Sequence, residues 1–415
     1  MVKQPSRHQL VTSLFSGIGG FELGLSAAGH KAALFCEIDP EATAVLRRRF
    51  PRIPVLSDVR DVEALVQAIP ASSQLLTAGF PCTDLSQAGR TLGFDGKHSS
   101  LIRDVFRLLD RRPFESILIE NVPNWRVLHR GAYFREVLDA LEDRGYRWAY
   151  RTIDVRAFGL PQRRQRIFLY ASRIRDPRFA LFNGNCAEPN AFFALKRAAH
   201  GFYWTEGSRG LGWGEDCVPT LKGGSTVGIP SPPAIVMPNG TLVTPHICDA
   251  ERMQGFPAGW TDIKLVHEGQ KRRPFRQRRR WMLVGNAVNV EVAAWIGRNL
   301  MLPSTEPSIE SSKIRAQDSM PPCAWSDGEV RYSCELSAWP MLKKSIGLRA
   351  FLEHPTEPLS LRATKGFLRR ANASSLRFAE GFLAAVENHV AEMEESATPS
   401  LRLNFKQSRS TIAAA

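Results

Sequence analysis

Residues 10–39, LVTSLFSGIGGFELGLSAAGHKAALFCEID, decide the fold class. An apolar run, LVTSLF at 10–15, stops at a glycine cluster formed by Gly17, Gly19 and Gly20. Helical spacing follows in FELGLSAAG, and a second apolar run, AALFCEI at 32–38, delivers Glu37 and then Asp39. Strand, glycine turn, helix and strand in so short a span open a parallel sheet with crossover helices.

The same alternation continues outward. QLLTAG (74–79), SILIEN (116–121) and RIFLYA (166–171) read as further strands, and PEATAVLRRRF, SLIRDVFRLLDRR and YFREVLDALEDRG, stopped by Gly145, read as helices. The expected class is α/β, a mostly parallel sheet with helices on both faces. From 173 to 245 the texture changes to Gly, Pro, Asn and Trp with few periodic runs, as a smaller inserted domain of loops and strands would have. Periodicity returns at ICDAERMQGF and VGNAVNVEVAAWIGRNL, so residues 1–172 and 246–302 form one domain interrupted by 173–245. Residues 303–415 are an extension of unassigned role, partly helical. Its stripe of Leu376, Ala379, Phe382, Leu383, Val386 and Val390 is read as a packing face.

Charge narrows the partner. The chain carries 55 Lys and Arg against 41 Asp and Glu, a net +14 over 415 residues. Residues 303–415 hold 14 basic and 13 acidic side chains, so the first 302 carry 41 against 28, or +13. An excess so placed suits a polyphosphate, as does KRRPFRQRRR at 271–280. No run approaches the ~18 apolar residues of a membrane span, and MVKQPSRHQL lacks the apolar core of a signal peptide, so a soluble cytoplasmic protein is expected. Seven cysteines without a CxxC pair indicate neither a disulfide framework nor a zinc site, and no metal is expected.

A glycine cluster after a first strand is where doubly wound folds hold nucleotide-like ligands. Glu37 lies 17 residues past Gly20, placed with Asp39 to hold ribose hydroxyls, and Asp58 in SDVRD is placed to accept from an adenine amino group. Glu22 occupies the last glycine position of a dinucleotide fingerprint. That mismatch disfavours NAD and favours S-adenosylmethionine, which has no pyrophosphate to cradle.

Further motifs surround a reacting centre. GFPCTDLSQAG puts Cys82 in a loop after the strand at 74–79, Glu120 ends the strand in IENVP, and Gln162, Arg164 and Arg166 form Q-x-R-x-R before RIFLY. Taken in order, FSGIGG, CEIDP, SDVRD, GFPCTDLS, IENVP, QRRQRIF, ERMQGFP and VGNAVNV resemble the cytosine-C5 DNA methyltransferase family over roughly 10–300. The resemblance implies a Rossmann-like S-adenosylmethionine-dependent methyltransferase domain with an inserted target-recognition domain. It implies duplex DNA as substrate and flipping of the target cytosine. Phe15, Gly17, Gly19, Gly20, Glu37, Ile38, Asp58, Val59, Pro81, Leu101, Asn286 and Val288 would then border the cofactor. Cys82 would be the nucleophile, Glu120 its acid partner, Arg166 the contact to cytosine O2 and Arg164 a support. Ser86 would meet a phosphate, and Thr220 and Leu221 would be the recognition module's Thr-Leu signature. From its charge, the run at 271–280, with Arg272 and Arg273, is expected to approach the DNA backbone.

Cytosine C5 is a poor nucleophile, and a thiolate adding to C6 with a proton supplied at N3 activates it. This sequence departs from the family pattern at Thr83 and Asp84, and at Cys248 and Asp249, where Arg-Glu is usual, so the usual salt bridge there is expected to be missing. Cys248 is read as buried filler. A tRNA cytosine-C5 methyltransferase and an inactive DNA-binding homologue remain alternative readings. The expected enzyme is a monomer whose restriction endonuclease is a genetic rather than a physical partner.

Overall fold

The computed structural model describes residues 8–80, 100–190, 194–223, 232–265, 273–303, 309–315 and 317–397. The first strands are β1 (Leu10–Leu14), β2 (Lys31–Cys36), β3 (Val55–Leu56), β4 (Leu75–Ala78), β5 (Ser116–Asn121), β6 (Arg147–Asp154), the short β7 (Gln162–Arg163) and β8 (Gln165–Ser172). All but β7 join one sheet in the order β3-β2-β1-β4-β5-β8-β6. The steps from β3 to β5 are parallel, while β8 runs antiparallel to both β5 and β6. The reversal of strand order beside β1 puts the carboxyl ends of β1, β2 and β4 around one crevice, the place where such sheets bind ligands.

Helices cover both faces, as the sequence leads one to expect. On one side α3 (Val62–Ala68), α4 (Ser100–Arg111) and α5 (Ala132–Glu142) bury Leu65, Val105, Leu108, Phe134 and Leu138. On the other, α1 (Gly20–Ala27) packs Phe21 and Leu25 against a helix that arrives much later in the chain. Between them, α2 (Pro40–Arg49) starts with Asp39 accepting from the amides of Glu41 and Ala42 and ends in three arginines, both favourable to the helix dipole.

β6 carries no strand signature in its sequence. RWAYRTID looks too polar for a central strand, yet all but its first residue are buried. Arg151 is the reason: its fully buried guanidinium donates to the carbonyls of Ser337, Leu181 and Gly184, so its charge breaks the apolar pattern without reaching solvent.

The segment after β8 makes a second sheet from β9 (His200–Phe202), β10 (Gly214–Glu215), β12 (Ala234–Val236) and β13 (Leu242–Thr244), while β11 (Val218–Pro219) pairs with β7. The chain then returns through α6 (Ile247–Met253), the hairpin β14 (Lys264–Leu265) and β15 (Arg273–Pro274), α7 (Gln277–Asn286) and α8 (Val290–Met301). α8 is the late partner of α1. A side chain on Gly24 would stand 2.5 Å from the Val290 carbonyl oxygen and 2.6 Å from Ala293 Cβ, so only glycine lets the two helices approach this closely.

Residues beyond 303 contribute to both sheets. β16 (Ser311–Lys313), β17 (Cys323–Ser326) and β18 (Arg331–Cys334) extend the main sheet past β6 in the order β17-β18-β16. The chain then runs across the molecule, with Asp154 donating to Ala338, Lys343 to Ala157 and Leu348 to the Asp216 carboxylate. β19 (Glu357–Pro358) joins β13, and α9 (Leu361–Asn372) and α10 (Phe382–Ala397) bury Phe367, Phe382 and Val386 against Phe202, Val236 and Leu242 of the second sheet.

Candidate active site

The crevice is lined first by backbone geometry. Phe15 and Gly17 both adopt positive φ, turning the chain sharply out of β1. Glu37, just beyond β2, accepts from the Gly17 amide at 2.7 Å and the Asp39 amide at 2.8 Å, which fixes its carboxylate beside the glycine turn. Burial raises its pKa against the opposing pull of those amides. Ile38 next to it is 65% exposed, an apolar side chain presented at the sheet edge. A Cβ on Gly17 would meet nothing within 4 Å, so the turn faces open space there.

The other glycines serve packing instead. A Cβ on Gly20 would lie 2.2 Å from the Val288 carbonyl oxygen, and one on Gly19 2.6 Å from the Phe50 ring. Close approach of protein to protein therefore requires glycine at these two positions. Asp39 likewise caps α2 and pairs with Arg279 at 2.6 Å, which leaves Glu37 as the acid turned to the crevice. The Asp58 carboxylate is gripped by Arg60 through Nε at 2.9 Å and Nη2 at 2.5 Å, and this hydrogen bonding holds its pKa below the usual carboxylate value. Val59 is buried, Leu101 packs at the edge of the core, and Asn286 is exposed at the end of α7.

The reacting end sits at the carboxyl end of β5. Glu120 is 8% exposed and pairs with Arg166 Nε at 3.0 Å. Burial raises the Glu120 pKa, and the charges of Arg166 and Arg164 partly offset it. Gly79 lies beside them: its Cβ would stand 3.9 Å from Glu120 Oε2 and 3.7 Å from Val288 Cγ2. Asn121 donates to the Phe80 carbonyl at 3.4 Å, a positioning contact the sequence reading did not assign. Phe80 also meets Phe15 and Trp125 edge to face. The chain thus enters the Cys82 segment directly beside Glu120. Pro81, Cys82, Ser86 and Arg272 themselves lie outside the described residues, and Arg273 is placed only as part of β15.

Arg164 belongs behind the site. It is fully buried and donates to Gly285 at 3.1 Å, Ala287 at 2.9 Å and Leu221 at 3.5 Å, joining three segments; burial pulls its pKa down to about 9. Gln162, unassigned beyond its motif, accepts from the Leu221 amide and donates to Met253 and Gln254. The Thr220 hydroxyl donates to the Arg163 carbonyl at 2.8 Å, and Tyr203 donates to the Thr220 carbonyl at 2.6 Å. Leu221 is 1% exposed, so its side chain seats this loop in the core and does not reach DNA.

Two arginines of the basic run are also spoken for. Arg279 binds Asp39 and Glu41, and Arg280 binds Glu251 at 3.0 Å and the Thr261 hydroxyl at 2.9 Å. They anchor α7; the exposed members nearby are Arg276 and Arg278. Asp249 is not idle either, since its buried carboxylate takes Arg252 at 2.7 Å, the His354 ring at 3.0 Å and the amides of Glu353 and His354. Cys248 is only half-buried.

A model for C-5 cytosine-specific DNA methylases matches residues 10–191. The type II methyltransferase M2.BsuMI of Bacillus subtilis is 42% identical over 387 residues, which cover 91% of this chain and 97% of that protein. The chain belongs to the C-5 cytosine-specific DNA methylase family. A match of that extent takes in most of residues 303–415, so the extension is shared with this relative. The type II methyltransferase M.NaeI of Lentzea aerocolonigenes is 28% identical over 70% of this chain and 74% of its own. Among solved structures, the S. pombe Dnmt2 methyltransferase superposes with a TM-score of 0.51 at 16% identity, covering 69% of this chain and 97% of that one, a likeness of fold. The methylase has no helix long and apolar enough to cross a membrane, and no group of three or more candidate metal ligands, among its described residues.

Proposed function

We propose that this methylase places a methyl group on C5 of a cytosine flipped out of a specific duplex DNA sequence, as the modification half of a restriction-modification system in the cytoplasm. The reading rests on the buried Glu120–Arg166 pair at 3.0 Å, set beside the glycine from which the Cys82 segment departs. The Cys82 thiolate adds to C6 while Glu120, whose pKa burial raises toward the proton-bearing form, donates to N3, so the ring electrons collect at C5. Arg166 holds the O2 edge and keeps the carboxyl oriented. Arg164 and Gln162 fasten the Thr220 loop through the Leu221 backbone. After methylation, loss of the C5 proton restores the double bond and expels the thiolate.

S-adenosylmethionine, used by this family as methyl donor, supplies an electrophilic sulfonium methyl when bound. The residues suit it: Glu37 for the ribose hydroxyls, Ile38 as an apolar platform for the adenine, and the open space at Gly17 for the remainder. Residues 173–245 are read as the target-recognition domain, with Thr220 near the backbone of the flipped nucleotide. Base flipping costs a few kcal/mol, returned by contacts to the extruded base.

Trapping on a duplex containing 5-fluorocytosine, with the donor present, tests the assignment. The wild type should form a denaturation-resistant adduct and Cys82→Ala should not. An adduct that survives that substitution, or methyl transfer to tRNA in preference to duplex DNA, overturns it. Bisulfite sequencing of DNA from cells expressing the protein then gives the recognition sequence.

A further inference from the structure

Two cysteines on the added strands β17 and β18, outside the candidate active site, stand in an arrangement that packing alone does not require. In the pairing of β17 with β18, Ala324 faces Ser333, so Cys323 falls directly opposite Cys334. Their Sγ atoms are 2.9 Å apart, within about an ångström of the ~2.05 Å of a disulfide. Directly opposed residues on antiparallel strands have Cα atoms about 4.5–5.5 Å apart, inside the range a disulfide spans. Both cysteines are buried, and the hairpin needs no change of register to bring them together.

The neighbour across the next strand is unusual. Cys323 pairs with Arg151 of β6, so guanidinium and both thiols form one row across three strands. Arg151 Nη2 is buried with no hydrogen-bond acceptor, and the ionisable groups acting on this guanidinium are thiols, those of Cys323, Cys334 and Cys186. A buried cation with an idle N–H favours a thiolate nearby. The hydrogen bond from Cys323, together with the Arg151 and Arg178 charges, holds the Cys334 thiol below its ordinary value, while burial holds Cys323 well above its own. Cys334 also lines a cavity of about 560 Å³ with Glu310, Ser312 and Glu335, which gives a small oxidant a route to it.

We propose that Cys323 and Cys334 are an oxidation site, a cross-strand thiol pair that hydrogen peroxide converts to a disulfide within the folded protein. The Cys334 thiolate attacks the peroxide, the O–O bond breaks, and a sulfenic acid and hydroxide result. Cys323 then gives up its proton and attacks that sulfur, the S–O bond breaks, and the second oxygen leaves as water. The sum is two thiols and one peroxide giving one disulfide and two waters. In a reducing cytosol the pair rests as thiols. Once formed, the bond pins the hairpin from which the chain departs toward the second sheet.

Mapping of the full-length protein without reduction, after one equivalent of hydrogen peroxide, tests this. Cys82→Ser serves as the background so that the expected nucleophile does not consume oxidant. The expected product is a cross-linked 323/334 peptide, lighter by two hydrogens and formed at least about tenfold faster than any oxidation of buried Cys36 or Cys217. The oxidised protein should melt higher than the reduced one, and adding Cys323→Ser should abolish that rise and leave a dimedone-reactive sulfenic acid at Cys334. Recovery of both thiols in alkylatable form, or their separate conversion to sulfinic acids, overturns the proposal.

Discussion

At the scale of single residues, the protonation of two buried carboxyls carries the argument. In the proposed mechanism Glu120 donates a proton, and its pKa is raised by burial, so the competent form is lost as pH climbs through that raised value and kcat/KM should decline on the alkaline side. Arg166→Met removes the charge that lowers this pKa, so the alkaline limb of whatever activity remains should move to higher pH. Glu120→Gln should lower kcat by about 10²–10⁴-fold in steady-state methyl transfer. Glu22 reports on stability instead. It lies fully buried between Ser13 and Thr77, and burial lifts its pKa from 4.5 to about 7. A raised folded-state value means its favourable contribution is complete below 4.5 and lost as pH rises through about 7. That loss is on the order of 3 kcal/mol. Glu22→Gln should flatten this slope in urea titrations run from pH 4 to 8. Sequence marked Glu120 and Arg166 because the motif that carries them is local. It missed Asn121 as a positioning group because its partner, the Phe80 carbonyl, comes from another strand.

At the scale of elements, the glycine turn separates open space at Gly17 from packing space at Gly19 and Gly20. Gly20→Ala drives a methyl into the Val288 carbonyl and should unseat the loop before α8, lowering the melting temperature by several degrees. Gly17→Ala meets no atom, but its positive φ costs about 1–2 kcal/mol. Its larger effect should be on affinity for S-adenosylmethionine, read by isothermal titration; equal losses of stability and affinity in both variants would remove the distinction. The parallel strands and their helices were legible because alternation and spacing are short-range signals. β6 was not, since a buried arginine imitates a surface one until its carbonyl partners, 30 to 186 residues away, are known. The basic run misled in the same way: Arg279 and Arg280 look like DNA contacts until Asp39, Glu41 and Glu251 are seen beside them.

At the scale of the whole molecule, the net charge of +14 predicts DNA binding that weakens steeply with salt, with the logarithm of the affinity linear in the logarithm of salt concentration. Arg278→Ala should reduce that slope by about one unit in fluorescence anisotropy if this exposed arginine meets a phosphate. The extension is the part sequence could least interpret, because its strands are two to four residues long and each finds its partner in a distant segment. Ending the chain at 302 removes the strand that covers β6 and the helices that cover Phe202 and Val236, so the shortened protein should be recovered in inclusion bodies. A soluble, cooperatively melting product would show that each sheet stands without it. Because α9 and α10 close the second sheet from the far end of the chain, the proposed assignment of 173–245 to target recognition predicts that exchanging those residues alone will not transplant site specificity. A chimera would inherit a donor sheet facing a host helix pair of the wrong shape, and a working graft has to carry residues 348–397 along with the insert.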